Sequence, residues 1–158
     1  MSRISLRAVP FDDPDARTLL SELYLDQLTR YARADPPDDD SGDYAPPQGL
    51  FLLLYVDDQP AGCGGYRVHD TTRGEIKRFY VRPEHRGRGY GRRILTALED
   101  HGRAVGATCL LLETGVRNEA AIYLFGSAGY SPVPGYVPRR DQRINRAFAK
   151  SISLPQWL

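Results

Sequence analysis

The hydrophobic positions change their period along the chain. Ile4-Ser5-Leu6-Arg7-Ala8-Val9 alternates apolar and polar residues, the period of a half-buried strand. Phe11-Asp12-Asp13-Pro14-Asp15 breaks the alternation and supplies acidic helix-start residues. Leu19, Leu20, Leu23, Tyr24 and Leu28 recur at spacings of one, three and four, which predicts one face of a helix from about Asp15 to Arg30. Residues 31–48 carry Asp35, Asp38, Asp39, Asp40 and Asp43 among four prolines, and read as an acidic, mobile loop.

Three strands follow. Leu50–Val56 is apolar throughout, as a strand buried on both faces should be. Asp57-Asp58-Gln59-Pro60 reads as a turn, Ala61–His69 as a glycine-rich strand, residues 70–74 as a second turn, and Glu75–Val81 as the third strand. Strict alternation would put Glu75, Lys77, Phe79 and Val81 on one face and Ile76, Arg78 and Tyr80 on the other. A helix is predicted from about Gly89 to Val105, with Ile94, Leu95 and Leu98 on its apolar face. Then come a strand at Cys109–Glu113, a short helix at Asn118–Ser127, and strands at Tyr130–Val133 and Asn145–Ile152. A β-meander followed by strand–helix–strand–helix makes an α/β fold on a mixed, mainly antiparallel sheet with flanking helices, in the order β-α-β-β-β-α-β-α-β-β.

The 158 residues suit one domain over 1–158, with 41% apolar and 26% charged residues. The longest apolar run, Gly49–Val56, falls far short of the roughly 20 residues a membrane span needs. Residues 1–20 hold no unbroken apolar stretch of the kind a secretory signal requires, so a cytoplasmic location is expected. Cys63 and Cys109 lack metal or disulfide spacing; two buried thiols are expected, and no metal.

Net charge is +1, but unevenly spread. Residues 1–60 hold 12 acids against 5 arginines; ten of the 16 bases that follow fall between Arg67 and Arg103. A local basic cluster in a near-neutral chain points to a discrete anionic ligand rather than nucleic acid. No aromatic-basic RNA motif or recognition helix accompanies it.

The cluster centres on Val81-Arg82-Pro83-Glu84-His85-Arg86-Gly87-Arg88-Gly89-Tyr90-Gly91-Arg92-Arg93, which leaves a strand and enters a helix. A helix N-terminus presents unpaired N–H groups, and glycines let that backbone approach an anion. A phosphate or pyrophosphate is the natural ligand, with Arg86, Arg88, Arg92 and Arg93 adding charge. A glycine-rich turn with solvated arginines is the structural alternative. The P-loop pattern is absent, because no lysine follows these glycines. Gly87, Gly89 and Gly91 are also spaced differently from a dinucleotide fingerprint.

At these residues the chain resembles the GNAT superfamily of N-acetyltransferases. Arg86-Gly87-Arg88-Gly89-Tyr90-Gly91 fits that family's acetyl-CoA loop, Q/R-x-x-G-x-G/A, after Val81-Arg82-Pro83. A second pattern, N-x-x-A-x-x-L-Y-x-x-x-G-F, is matched by Asn118, Ala121, Leu124, Phe125, Gly129 and Tyr130. The resemblance implies a cofactor pyrophosphate on the backbone from Arg86 to Arg92 and a pantetheine arm paired with main chain near Phe79 and Val81. The N–H near Phe79 would polarise the thioester carbonyl. Asn118 would bond the arm, or simply cap its helix.

One departure is Phe125, which stands where the family has a tyrosine that protonates the leaving thiolate; phenylalanine has no proton to give. Tyr123 points about 200° away around the helix. Tyr130, Tyr136 or solvent could serve instead. By the resemblance Glu75 is the candidate base for the amine, with Tyr80 a second polar candidate. Their structural alternatives are a glutamate paired with Arg78 or Lys77 and a half-buried core aromatic. His69 and His85 are candidates by type, His85 more as a loop-positioning residue. Glu113 could contact substrate or cap the next turn.

The implied activity is direct transfer of acetyl from acetyl-CoA, a co-substrate, to a primary amine. The alternative is an acetyl-CoA-binding sensor or interaction module with little turnover. The acidic loop would steer a cationic acceptor, a small-molecule amine or a basic peptide, and a homodimer is left open.

Overall fold

The computed structural model describes residues 1–34, 36 and 40–153. Its strands are β1 (Ile4–Ala8), β2 (Leu50–Val56), β3 (Gln59–Val68), β4 (Arg73–Val81), β5 (Cys109–Gly115), β6 (Ser131–Val133) and β7 (Asn145–Ser151). Its helices are α1 (Pro14–Tyr31), α2 (Tyr90–Ala104) and α3 (Glu119–Ser127). The strands form one sheet in the order β1-β2-β3-β4-β5-β7-β6. Among the described residues only β4 and β5 pair in parallel. This is the α/β architecture and element order that the hydrophobic periods imply.

Local chemistry explains the boundaries. Pro14 opens α1, and the Asp13 carboxylate accepts from the N–H groups of Asp15 and Ala16. The β2–β3 turn is tighter than the sequence suggested. Asp57 and Asp58 sit at φ 50 and 64, the left-handed pair of a two-residue hairpin turn. Pro60 lies inside β3, opposite Tyr55, where the register shifts.

β2 is buried on both faces. Leu52, Leu54 and Val56 pack with Ile94, Leu95 and Leu98 of α2. Phe51, Leu53 and Tyr55 pack with Leu19, Leu20 and Leu23 of α1. Fully burying each such leucine contributes about 1.5–3 kcal/mol. No helix among the described residues is long and apolar enough to cross a membrane.

Two expectations are corrected. The described part of the 31–48 segment is anchored rather than mobile. Ser41–Tyr44 forms a short 3-10 helix, and Tyr44 stacks on Phe11 at 5.0 Å. Asp40 accepts from Arg78 at 2.8 Å and from the Tyr44 hydroxyl at 2.7 Å, while Asp43 pairs with Arg67 at 3.1 Å. Counting charge saw the acids but not the distant arginines that draw them inward. Asp35, Asp38 and Asp39 lie outside the described residues.

The second correction is the strict alternation along β4. Arg78 has φ 57, and the β3–β4 register shifts between Cys63 and Gly65. This bulge inserts one residue and flips the faces beyond it. Phe79 and Val81 therefore share the α2 face with Ile76. Tyr80 packs on the α1 side, where Arg78 meets Asp40.

Candidate active site

β4 and β5 part company halfway along. Their pairing runs from Arg73–Cys109 to Ile76–Leu112 and stops there. The remaining half of β4 keeps β3 on one side only. Arg82 donates its N–H to Ala61 on that side, so alternation turns the main-chain groups of Phe79 and Val81 to the open edge. The Val81 carbonyl accepts from Arg86 Nε there, at 2.8 Å.

The open edge leads into the start of α2. Gly87 and Gly89 have φ 77 and 82, a region that other residues enter at a cost. A Cβ at either would meet nothing within 4 Å, so the space in front of the backbone is open. Gly89 caps α2 without any side-chain bond, leaving the first N–H groups of the helix available. At Gly91 the opposite holds. A Cβ there would press on Leu124 at 3.0 Å, so the glycine lets α2 sit close to α3.

Three contiguous cavities line this region. The largest, about 350 Å³, is bounded by Phe79, Tyr80, Val81, His85, Arg86, Gly87, Gly89, Tyr90, Gly91, Arg92, Asn118 and Tyr123, among others. The second, about 130 Å³, fills the opening between β4 and β5; it shares Phe79 and Asn118 with the first and adds Phe125 and Glu113. The third, about 330 Å³, shares Tyr31, Glu113, Thr114 and Gly115 with the second. The shared lining residues place the three side by side around the β4–β5 opening.

Most of the expected cofactor residues therefore come together in one groove. Arg88 is exposed and does not line it. Asn118 Oδ1 accepts from the Ala121 N–H at 3.2 Å, so it caps α3 while lining two cavities. Phe125 is 3% exposed and meets Phe79 edge-on at 5.6 Å, beside the β4–β5 opening. Tyr123 is exposed on the rim of the groove.

The catalytic candidates fare differently. Glu75 is 1% exposed and lines none of the three cavities. Arg67 Nε donates to one oxygen at 2.8 Å and the Tyr136 hydroxyl to the other at 2.6 Å. Burial and the Glu75 carboxylate push the Tyr136 hydroxyl far above its ordinary pKa. Glu75 is thus a buried structural anchor, and its expected role as the base that meets the amine does not suit this geometry. Tyr80 lines the groove, and its hydroxyl donates to Glu22 at 3.3 Å. Burial, then the Glu22 charge, pushes its pKa up to about 12. It keeps its proton at neutral pH, so no tyrosinate is present there to act as a base. Glu22 also holds Arg82 at 2.7 Å, tying α1 to the end of β4. His69 is exposed, edge-on to Tyr136, while His85 lines the groove.

A model of the acetyltransferase (GNAT) family matches residues 16–130. The chain belongs to that family. This GNAT chain is 40% identical over 89 residues to the IAA acetyltransferase of Azospirillum brasilense, covering 55% of this chain and 58% of that one. It spans about half the length, or less, of several curated relatives. Among solved structures, one from Klebsiella pneumoniae assigned as an acyl-CoA N-acyltransferase is 26% identical, with TM-score 0.79 over 95% of this chain and 98% of that one. The Salmonella typhimurium protein YncA, solved with its cofactor acetyl-CoA, shares the fold at 18% identity and TM-score 0.70, over 97% and 96% of the chains.

The GNAT motifs leave the third cavity unread. Tyr31, Arg33, Arg139 and Arg140 line the third cavity, yet they come from α1's last turn, the segment after it, and the loop before β7. No spacing in the sequence links them. Glu113, which the sequence offers as a substrate contact or a turn cap, is the one member of this cavity that the motifs' neighbourhood reaches.

Proposed function

We propose that this protein is an acetyl-CoA-dependent N-acetyltransferase that transfers acetyl directly to the nitrogen of a small primary amine. The observation that carries the reading is the unpaired edge of Phe79–Val81 running, through left-handed Gly87 and Gly89, into the open N-terminus of α2. The acetyl-CoA bound to YncA, on the same fold, supports it.

In this reading the N–H groups at the start of α2 hold the pyrophosphate, with Arg86 and Arg92 adding charge. The arm pairs with Phe79 and Val81 as an added strand, which requires Arg86 to release the Val81 carbonyl. The Phe79 N–H polarises the thioester carbonyl. Glu113, which faces the β4–β5 opening, takes a proton from the incoming ammonium. The amine nitrogen attacks the carbonyl carbon and gives its second proton to solvent, the C–S bond breaks, and the departing thiolate takes a proton from solvent. A thiolate is a good leaving group near neutral pH, so Phe125 in place of a tyrosine is tolerable.

Calorimetry with acetyl-CoA on wild type, Gly89→Ala and Gly89→Glu tests the reading. Alanine at φ 82 should cost about 1–2 kcal/mol of stability. Glutamate adds a carboxylate in front of the phosphate-holding N–H groups and should weaken binding at least about ten-fold beyond alanine. Equal affinity of the two variants would place the cofactor elsewhere.

A further inference from the structure

The third cavity, beyond the β4–β5 opening, combines one carboxylate with several guanidinium groups. Glu113, two residues before the end of β5, has a side chain 11% exposed, and its Oε1 accepts from Arg140 at 2.7 Å. Its Oε2 is buried with no hydrogen-bond partner among the described residues, and so is the Tyr31 hydroxyl. Tyr31 sits against Gly115, where any Cβ would overlap its ring. A carboxylate oxygen left unsatisfied in this way costs stability unless a ligand supplies a donor. An ammonium group, with three donors and no acceptor, fits both Glu113 and Tyr31.

The rest of the lining has the opposite sign. Arg33 and Arg139 both face the cavity. The other acid there, Asp141, is already held by Arg143 at 3.1 Å, and bonds from Arg143 keep its carboxyl below the ordinary range. Arg139 is exposed, stands at φ 69, and makes no hydrogen bond or ion pair among the described residues. The expected cationic steering finds no support in Asp40 and Asp43, which are turned onto Arg78 and Arg67.

We propose that the acceptor is a small zwitterion of the amino-acid type. Its ammonium lies against Glu113 and Tyr31, and its carboxylate against Arg139 and Arg33. The inference rests on the acetyltransferase reading and narrows it to a substrate class. A polyamine would meet the arginines with like charge, whereas a carboxylate meets them as charge-assisted hydrogen-bond donors.

The test is a thiol-release assay over the common L-amino acids, their amides, the corresponding decarboxylated amines and spermidine. Acetyl-CoA binding is measured on the same samples by calorimetry. At least one amino acid should exceed its amide in kcat/KM by about ten-fold or more. Arg139→Gln should remove most of that preference through KM, and Arg139→Lys should restore part of it, while acetyl-CoA affinity stays unchanged. Amides, decarboxylated amines or spermidine reacting as well as the acids would overturn the proposal. So would a preference that survives in Arg139→Gln, or acetyl-CoA binding with no amino acid turned over. Failure to bind acetyl-CoA would instead bring down the acetyltransferase reading itself, and this proposal with it.

Discussion

The Tyr136 hydroxyl donates to Glu75 at 2.6 Å and closes the loop before β7 over a carboxylate that Arg67 already holds. Glu75 is thereby sealed into the protein, while Glu113, one strand over, lines the β4–β5 opening and has one buried oxygen with no hydrogen-bond partner among the described residues.

The two glutamates should separate in mutant kinetics. Glu75→Gln should act on stability, lowering it by about 1.5–3 kcal/mol, the range for a hydrogen bond to a charged group. Its kcat/KM per folded molecule should keep the wild-type pH profile. Glu113→Gln should lower kcat/KM by about 10²–10⁴-fold at neutral pH and flatten the acidic limb. Urea titrations and pH–rate profiles on one amine acceptor check both. An acidic limb lost in Glu75→Gln and kept in Glu113→Gln would return the role to Glu75.

Asp40 gives a pH-dependent prediction. Burial raises its pKa, but hydrogen bonds from Arg78 and Tyr44 outweigh that and leave the folded value below the ordinary 3.8. The unfolded chain therefore takes up this proton first as pH falls. The stabilisation is present above about pH 3.8 and is lost as pH drops through the folded value. Asp40 and Arg78 have side chains only 7% and 5% exposed. Asp40→Asn should cost about 3–5 kcal/mol at pH 7, the range for breaking a buried pair. Unfolding at pH 7 and pH 3 should show the gap narrowing in acid, and a constant gap would mean the pair is not the source.

Direct transfer predicts that neither cysteine carries acetyl. Cys63 is fully buried, and burial followed by the Glu22 charge pushes its thiol far above the ordinary range. Its Sγ donates to the Arg78 carbonyl at 3.3 Å. Cys109 starts β5, opposite Arg73, at the paired end of the strands rather than at the opening. Cys63→Ala combined with Cys109→Ser should keep turnover within about ten-fold once folded protein is counted, since no nucleophile has been removed. Intact-mass spectra after acetyl-CoA treatment should show no adduct, and a stable acetyl group on either thiol would contradict direct transfer.

The order of strands and helices was legible because hydrophobic period and turn residues are local properties. Leu50–Val56 had to be buried on both faces, and Asp13-Pro14 had to open a helix. The groove was legible for a similar reason. Arg86–Arg92 and Asn118 lie in short continuous motifs, and the backbone of each motif supplies much of the chemistry. Three things were not local. The bulge at Arg78 depends on how β3 and β4 register, and it reverses the faces that simple alternation assigns. The pairing of Asp40 with Arg78, and of Glu75 with Arg67 and Tyr136, spans 38, 8 and 61 residues. Charge counts along the chain cannot see such partners. The third cavity draws Tyr31, Glu113 and Arg139 from three separate segments, and only the packing of α1 and the loop before β7 around the end of β5 brings them together. Sequence alone determined the family fold and the cofactor loop, because both are written in consecutive residues. Tertiary structure decided which carboxylate is sealed inside and which lines the cavities, and what charge surrounds it, because these depend on residues that meet only once the chain has folded.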